Sequence, residues 1–341
     1  MARGSGVMRW ALASGLAVGL ALSARAEEAA SPAQNKSCPL RQLASIEVRI
    51  TPFGQVLVPV NMSGHDVWMT LDLQAGILAL YESAIADWHL DLIRMNNGAR
   101  RITFNGHTVN DMVHEDFKLG PHTFSQWPMI VVPASARPAF SFEGKPVVGQ
   151  LAGRFLTVVD AELNLAHNTI ILFEQVKCGS DAVYWGGPIT AVRHDFDQTG
   201  LLHFPMELDG QEIQTSFNTD GGHSRILSDV TKKYFGFDEN SPGIQSELQP
   251  NGRPTLSYRA MDLTAPGLDI KDAKIVLRPM LACHPDRSLS RIGGIDCTDA
   301  FGVTPFEIGT DLLRQLRVYI ATKEKMVYFS RLPQGDEAAA H

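Results

Sequence analysis

Cysteine is scarce in this chain, four among 341 residues, and no two are spaced Cys-x-x-Cys. That absence removes the commonest zinc and dithiol signatures. The eleven histidines, His194 and His203 among them, are scattered without ligand spacing and read as surface residues, so neither a metal nor a cofactor is expected. Long apolar runs are missing after the first two dozen residues, which excludes a membrane-inserted mature form. Positive charge is thin: 30 Lys and Arg stand against 37 Asp and Glu, for a net charge of −7, with no basic cluster. An acidic surface of this kind excludes nucleic acid and anionic membranes as partners.

What is present begins with a secretory signal. Arg3 and Arg9 form a basic start, Trp10 to Leu22 is apolar, and Ala24-Arg25-Ala26 is a small-x-small cleavage site. Cleavage after Ala26 removes three arginines and leaves 315 residues (341 − 26) with a net charge of −10 (−7 − 3), periplasmic or secreted. In such a compartment four cysteines read as two disulfides, with three possible connectivities. Cys283 and Cys297 flank a polar, Gly-rich loop, and Cys38 and Cys178 stand at the entry and exit of the first half of the chain, so these are the favoured pairs.

The stretch around which the chain is organised is VWMTLDLQAGILALY, Val67 to Tyr81. It sets one carboxylate, Asp72, among bulky apolar residues, where an unpartnered charge costs several kcal/mol. A second stretch, IQTSFNTDGGHSRIL from Ile213 to Leu227, follows the same plan. Each is preceded by an apolar strand and a Gly turn, with Gly64 eight residues before Asp72 and Gly210 eight before Asn218. Each is followed by a helix-like run, YESAIADWHL or LSDVTKKYFG. The halves also close alike, from Gly153 to Phe173 and from Gly309 to Phe329, both spans of 20. Two copies of such a unit point to two lobes rather than a solenoid.

Strand-like segments dominate between these landmarks, with a hairpin expected at Asn105-Gly106. The predicted layout is a signal over 1–26, a flexible segment over 27–42, a first lobe over 43–180, a linker over 181–188, a second lobe over 189–332 and a loose tail over 333–341. The expected class is mostly β and bilobal, two pseudo-symmetric barrels with short helices. Trp88, Trp127 and Trp185 read as core or rim residues, Tyr258 and Phe104 as core, and Asp299 and Asp311 as loop and helix-cap residues. His223 and Ser224 are adjacent, which on a strand sends their side chains to opposite faces and excludes a Ser-His pair.

An apolar hairpin, two hydrophobic residues and an Asp-Thr-Gly, a helix, and a closing Gly-x-x-Leu-Leu helix with a β-pair make up one aspartic-protease lobe. From about Ile46 to Arg331 this chain resembles the exported bacterial aspartyl-protease-like proteins, which carry two retropepsin-like lobes in one polypeptide. The resemblance implies an extended peptide or protein ligand in a cleft between the lobes, with one catalytic aspartate from each. Two such carboxylates share one proton, so that one acts as general base and the other as acid.

In this sequence the first motif reads Asp72-Leu73-Gln74-Ala75 and the second Asn218-Thr219-Asp220-Gly221. Asn218 cannot ionise, so a pair of Asp72 and Asn218 has no proton to share. Leu73 lacks the hydroxyl that, in the family it resembles, reaches across to the other lobe, whereas Thr219 has it. Gln74 replaces a Gly whose N–H approaches the carboxylate, and Gly76 is the nearest substitute. If hydrolysis survives, Asp72 is the expected base and Asp220, shifted into register before Gly221-Gly222, the expected acid. The alternative is a non-catalytic peptide-binding or scaffolding protein, a pseudoprotease.

Overall fold

The computed structural model describes residues 38–95, 102–104, 107–137, 139–197, 200–248, 255–279 and 304–332. The predicted signal, most of the 27–42 segment, the Asn105-Gly106 turn, Asp299, the Cys283–Cys297 pair and the tail lie outside them.

Alternation of apolar and polar residues drives the strands. Val56–Met62 buries Val58, Val60 and Met62 on one side. It turns at Ser63-Gly64 and returns antiparallel as His65–Asp72, with Val60 opposite Val67. The second lobe repeats this with Leu202–Leu208, Asp209-Gly210 and Gln211–Phe217. Both turns hold positive φ at both central residues, 50° and 83° in one, 47° and 75° in the other. That is the two-residue geometry whose twist matches the flanking strands.

Each lobe closes on itself. In the first, Val56–Met62, His65–Asp72, Lys145–Ala152, Leu78–Tyr81, His122–Val132 and Asp111–Leu119 pair in a ring, sealed where Met62 meets Phe117. In the second, Leu202–Leu208, Gln211–Phe217, Phe306–Ile308, Arg225–Leu227, Leu268–Arg278 and Leu256–Ala265 do the same, sealed where Leu208 meets Leu263. Phe117 stacks on Phe124 at 4.8 Å inside one lobe, and Phe204 lies 4.8 Å from Phe217 inside the other. The helix-like runs form Glu82–Trp88 and Ser228–Phe235 directly after the third strand of each ring.

The closing strand pairs of the two halves merge, which the sequence did not reveal. They form one six-stranded sheet in the order Gln42–Glu47, Thr169–Phe173, Asp160–Asn164, Leu316–Ala321, Met326–Arg331 and Thr190–Arg193. The lobes join at its centre, where Ala161 pairs with Ile320 and Leu163 with Val318. Cys38 and Cys178 are bridged beside it, next to Phe173, Tyr319 and Tyr328.

Two expectations are corrected here. Gly153 corresponds to Thr310, not to Gly309: the Gly153 N–H donates to the Ala75 carbonyl and the Thr310 N–H to Gly221, each three residues past the motif position. The equal spans of 20 had hidden this one-residue shift. His194 is buried, 1% exposed, because it continues the in-out alternation of Thr190–Arg193. It packs 5.2 Å from the Phe196 ring, and burial pushes its pKa down to about 4, so it stays neutral at physiological pH.

Candidate functional site

Asp72 ends its strand where the chain turns, with the Ala75 N–H closing the turn onto the Asp72 carbonyl at 3.1 Å. Its half-buried carboxylate accepts the Gln74 N–H at 2.9 Å and the Gln150 side-chain amide at 3.0 Å. Gln74 thus reaches the carboxylate in spite of its Cβ, and Gly76 is not used for this. Gly76 instead faces the second lobe, its carbonyl 3.8 Å from where a Cβ on Gly200 would stand.

The second lobe places Asn218 where the first places Asp72. Two residues earlier in each strand, Thr70 pairs in parallel with Gln150, and Ser216 with Glu307. The shifted register, with Asp220 in the position of Asp72, is therefore not adopted. Asp220 takes the place of Gln74. Asn218 is buried, and its amide nitrogen lies 3.5 Å from the Glu307 carboxylate. The lobes thus carry the same pair in opposite order. In the first the acid is on the loop and the amide on the neighbouring strand. In the second the amide is on the loop and the acid on the strand.

Glu307 is the residue that sequence reasoning missed. It is buried and ion-paired with both Arg225 and Arg278. The corresponding first-lobe residues are Gln150, Ala79 and Val132, as the strand registers show. A charged triad therefore occupies in one lobe the space that an amide and two small apolar side chains fill in the other. The signal was available at Arg225, which is followed by Ile226 and Leu227, and at Arg278, which ends the apolar run Ile275-Val276-Leu277.

The motif loops grip one another. The Leu73 N–H donates to the Thr219 hydroxyl at 3.1 Å, and the Val56 N–H to the Thr219 carbonyl at 2.9 Å. The Gln74 side chain donates to Ser216 at 3.0 Å and accepts from Arg225 at 3.3 Å. The Gln55 amide donates to Asp220 at 2.7 Å. Gly54 permits the contact: it has φ of +80°, and a Cβ there would fall 2.1 Å from the Gly222 Cα. Leu73 is buried in the core cluster that runs through both lobes.

Above these loops lies a cavity of about 670 Å³ lined by Gln55, Arg137, Phe140, Asn218, Asp220 and Arg225, among others. Gly221 is also on its wall; Asp72 is not among the lining residues. The Asp72 pKa is pushed up to about 7, first by burial and then by the negative charge of Asp220. Burial also raises that of Asp220, against the pull of Gln55, Arg137 and Arg225.

Other residues singled out from the sequence lie in supporting roles. Ser224 is buried and donates its hydroxyl to Asp311 at 2.6 Å, while His223 stands 4.0 Å from the same carboxylate. Asp311 also accepts the Leu312 N–H inside the helix Thr310–Leu313, so it pins the loop after the motif to that helix. Tyr258 donates to Gln245, and Phe104 packs against the Leu57, Trp68 and Tyr81 cluster. Among the described residues no group of three or more His, Cys, Asp or Glu side chains is placed to hold a metal ion.

Asp72 gives the protein a testable pH dependence. Between its ordinary value of 3.8 and about 7, the folded state binds more protons than the unfolded state, so stability falls as pH rises through that window. Replacing Asp72 with Asn removes the cost. At pH 8 the variant is expected to gain on the order of 2 kcal/mol, a figure discounted for partial solvent exposure, and at pH 3.5 almost nothing. Urea melts of both proteins at the two pH values check this. Asp160, raised to about 6 by burial, and His194 titrate alike in both proteins and cancel in the difference.

No protein-family model and no curated protein sequence matches the chain; its likeness to known proteins is one of structure. It is similar to the soybean basic 7S globulin, with a TM-score of 0.52 at 10% identity over 89% of this chain and 99% of that one. It is similar to conglutin gamma, a basic 7S globulin of lupine seeds, with a TM-score of 0.50 at 10% identity over 87% and 96%. It is equally similar to the aspartic proteinase of Irpex lacteus, with a TM-score of 0.50 at 12% identity over 87% and 99%. The fold is thus mostly β, bilobal and aspartic-proteinase-like, built from two barrels.

Proposed function

We propose that this chain binds an extended peptide in the cleft between its lobes and leaves the peptide uncut. The observation that carries the proposal is Asn218. It stands at the position equivalent to Asp72, buried, with its amide turned to Glu307. Aspartic proteolysis needs two carboxylates sharing one proton across a water. Here the equivalent positions supply one carboxylate and one amide, and the carboxylate lies off the cavity wall. What the lobes keep is their grip on each other through Leu73 and Thr219, and a cavity of a size that takes side chains. Main-chain pairing along a hairpin edge, with side-chain pockets beside it, is the mode that such a cleft favours.

One observation favours a second reading. Burial first, and then the negative charge of Asp220, raise the Asp72 pKa, so the two carboxylates are close enough for their charges to influence one another. In a hydrolytic reading the proton below neutrality sits on Asp72. Asp72 then becomes the acid and Asp220 the base, the reverse of the roles expected from the motifs. We also place the protein outside the cytoplasm, as an exported aspartyl-protease-like protein, a reading that the Cys38–Cys178 bridge supports.

The chain beginning at Glu27, its N-terminus read by mass spectrometry of the exported protein, is the form to assay. Saturable binding of unfolded protein without cleavage between pH 3 and 7 is expected. Cleavage that is blocked by a transition-state mimic and lost in Asp72→Ala overturns the non-catalytic reading in favour of the second.

A further inference from the structure

Arg137 stands in the segment between the strands His122–Val132 and Phe140–Phe142, its N–H on the Pro133 carbonyl at 3.3 Å. Its guanidinium carbon lies 5.2 Å from the centre of the Phe140 ring and 5.8 Å from that of Tyr81. Stacking on two rings fixes a guanidinium while leaving its N–H fork open. Among the described residues that fork has no carboxylate partner and makes no hydrogen bond.

The other charges of the site are accounted for. Arg225 and Arg278 are paired with Glu307. Asp220 is held by the Gln55 amide. Arg137 is thus a half-buried cation on the wall of the cavity, in a protein whose net charge is −7. Arg137 already pulls on Asp220 through space, so its charge is felt inside the cleft.

We propose that Arg137 is a specificity residue that takes an acidic side chain, Asp or Glu, of the bound peptide. The proposal rests on the reading of the cleft as a peptide site and adds the class of ligand. A carboxylate entering the cavity would meet the guanidinium fork in the two-bond geometry that Arg prefers. Phe140, Leu256, Val276 and Leu277 provide an apolar wall for the stem of that side chain.

The test uses the full exported chain and a set of extended octapeptide pools in which one position at a time is fixed as Glu, Gln, Lys or Leu. Binding is read by fluorescence polarisation. At one position the Glu pool is expected to bind roughly tenfold to a hundredfold more tightly than the Gln pool, the range for a charged hydrogen bond. Arg137→Gln should erase that difference, Arg137→Lys should keep part of it, and Arg137→Glu should move the preference to Lys. Pools that bind without an acidic preference, or with one unchanged in Arg137→Gln and Arg137→Glu, overturn the proposal and leave the peptide site standing. If no pool binds, the peptide reading fails and the proposal with it.

Discussion

A proteolytic site is expected to appear when the motifs of both lobes are given the residues of a working dyad, but only if Glu307 is changed as well. The motif changes are Leu73→Thr, Gln74→Gly, Asn218→Asp and Asp220→Gly. By themselves they set a new carboxylate at 218 beside Glu307, which already lies 3.5 Å from the Asn218 amide and is paired with two arginines. Two like charges at that distance push the new acid's pKa up and away from the dyad. The first lobe shows the remedy, because Gln150 donates to Asp72 where Glu307 would repel. Adding Glu307→Gln, with Arg225→Ala and Arg278→Val so that no cation is stranded, reproduces the first lobe's surroundings around the new aspartate.

General acid–base catalysis of this kind contributes about 10² to 10⁴ in rate. The seven-change protein should therefore cleave unfolded protein with an acid optimum, at least a hundredfold faster than the four-change protein, and be blocked by a transition-state mimic. If it is folded by circular dichroism and shows no cleavage, the equivalence of Asn218 with Asp72 does not extend to chemistry. Leu73→Thr is the change that endangers folding, since Leu73 is 2% exposed in the core. Reverting that one position separates a folding failure from a catalytic one.

Some of this architecture was visible before any coordinates. Gly64 and Gly210 announce their turns because positive φ costs glycine little, and they stand at equal distances from Asp72 and Asn218. The two helices follow from short periodic runs after the motif. What stayed hidden depends on contacts between distant residues. Gln150 meets Asp72 across 78 residues and Glu307 meets Asn218 across 89, so no local pattern links them. The gap between the copies is 146 residues at Asp72 and Asn218 but 157 at Gln150 and Glu307, with the extra length between Arg278 and Glu307. Gly153 and Gly309 are 156 apart, one short of that offset, so the two glycines do not occupy equivalent positions. Arg137 was invisible for a different reason. Its meaning lies in what does not pair with it, and a sequence does not show that.

The triad itself makes the last prediction. Glu307 is 5% exposed at its side chain, while Arg225 and Arg278 are exposed by 32% and 31%. Removing the buried member leaves two cations facing an interior without a counter-charge, and breaking a buried pair in this way costs about 3–5 kcal/mol. Because both guanidinium groups reach water, Glu307→Gln is expected near the lower end, about 3 kcal/mol, in urea melts at neutral pH. Substituting the whole triad by its first-lobe counterparts, Glu307→Gln with Arg225→Ala and Arg278→Val, removes the stranded charges together. It should return to within about 1 kcal/mol of the unmodified protein, since an apolar replacement of a buried ion triad is often neutral or better. The residual loss falls on the Arg225–Gln74 contact between the lobes. If the triple variant is as unstable as Glu307→Gln alone, then the triad's hydrogen bonds rather than its uncompensated charge hold the second lobe. Glu307 would then be a structural strut, with Asn218 merely its neighbour.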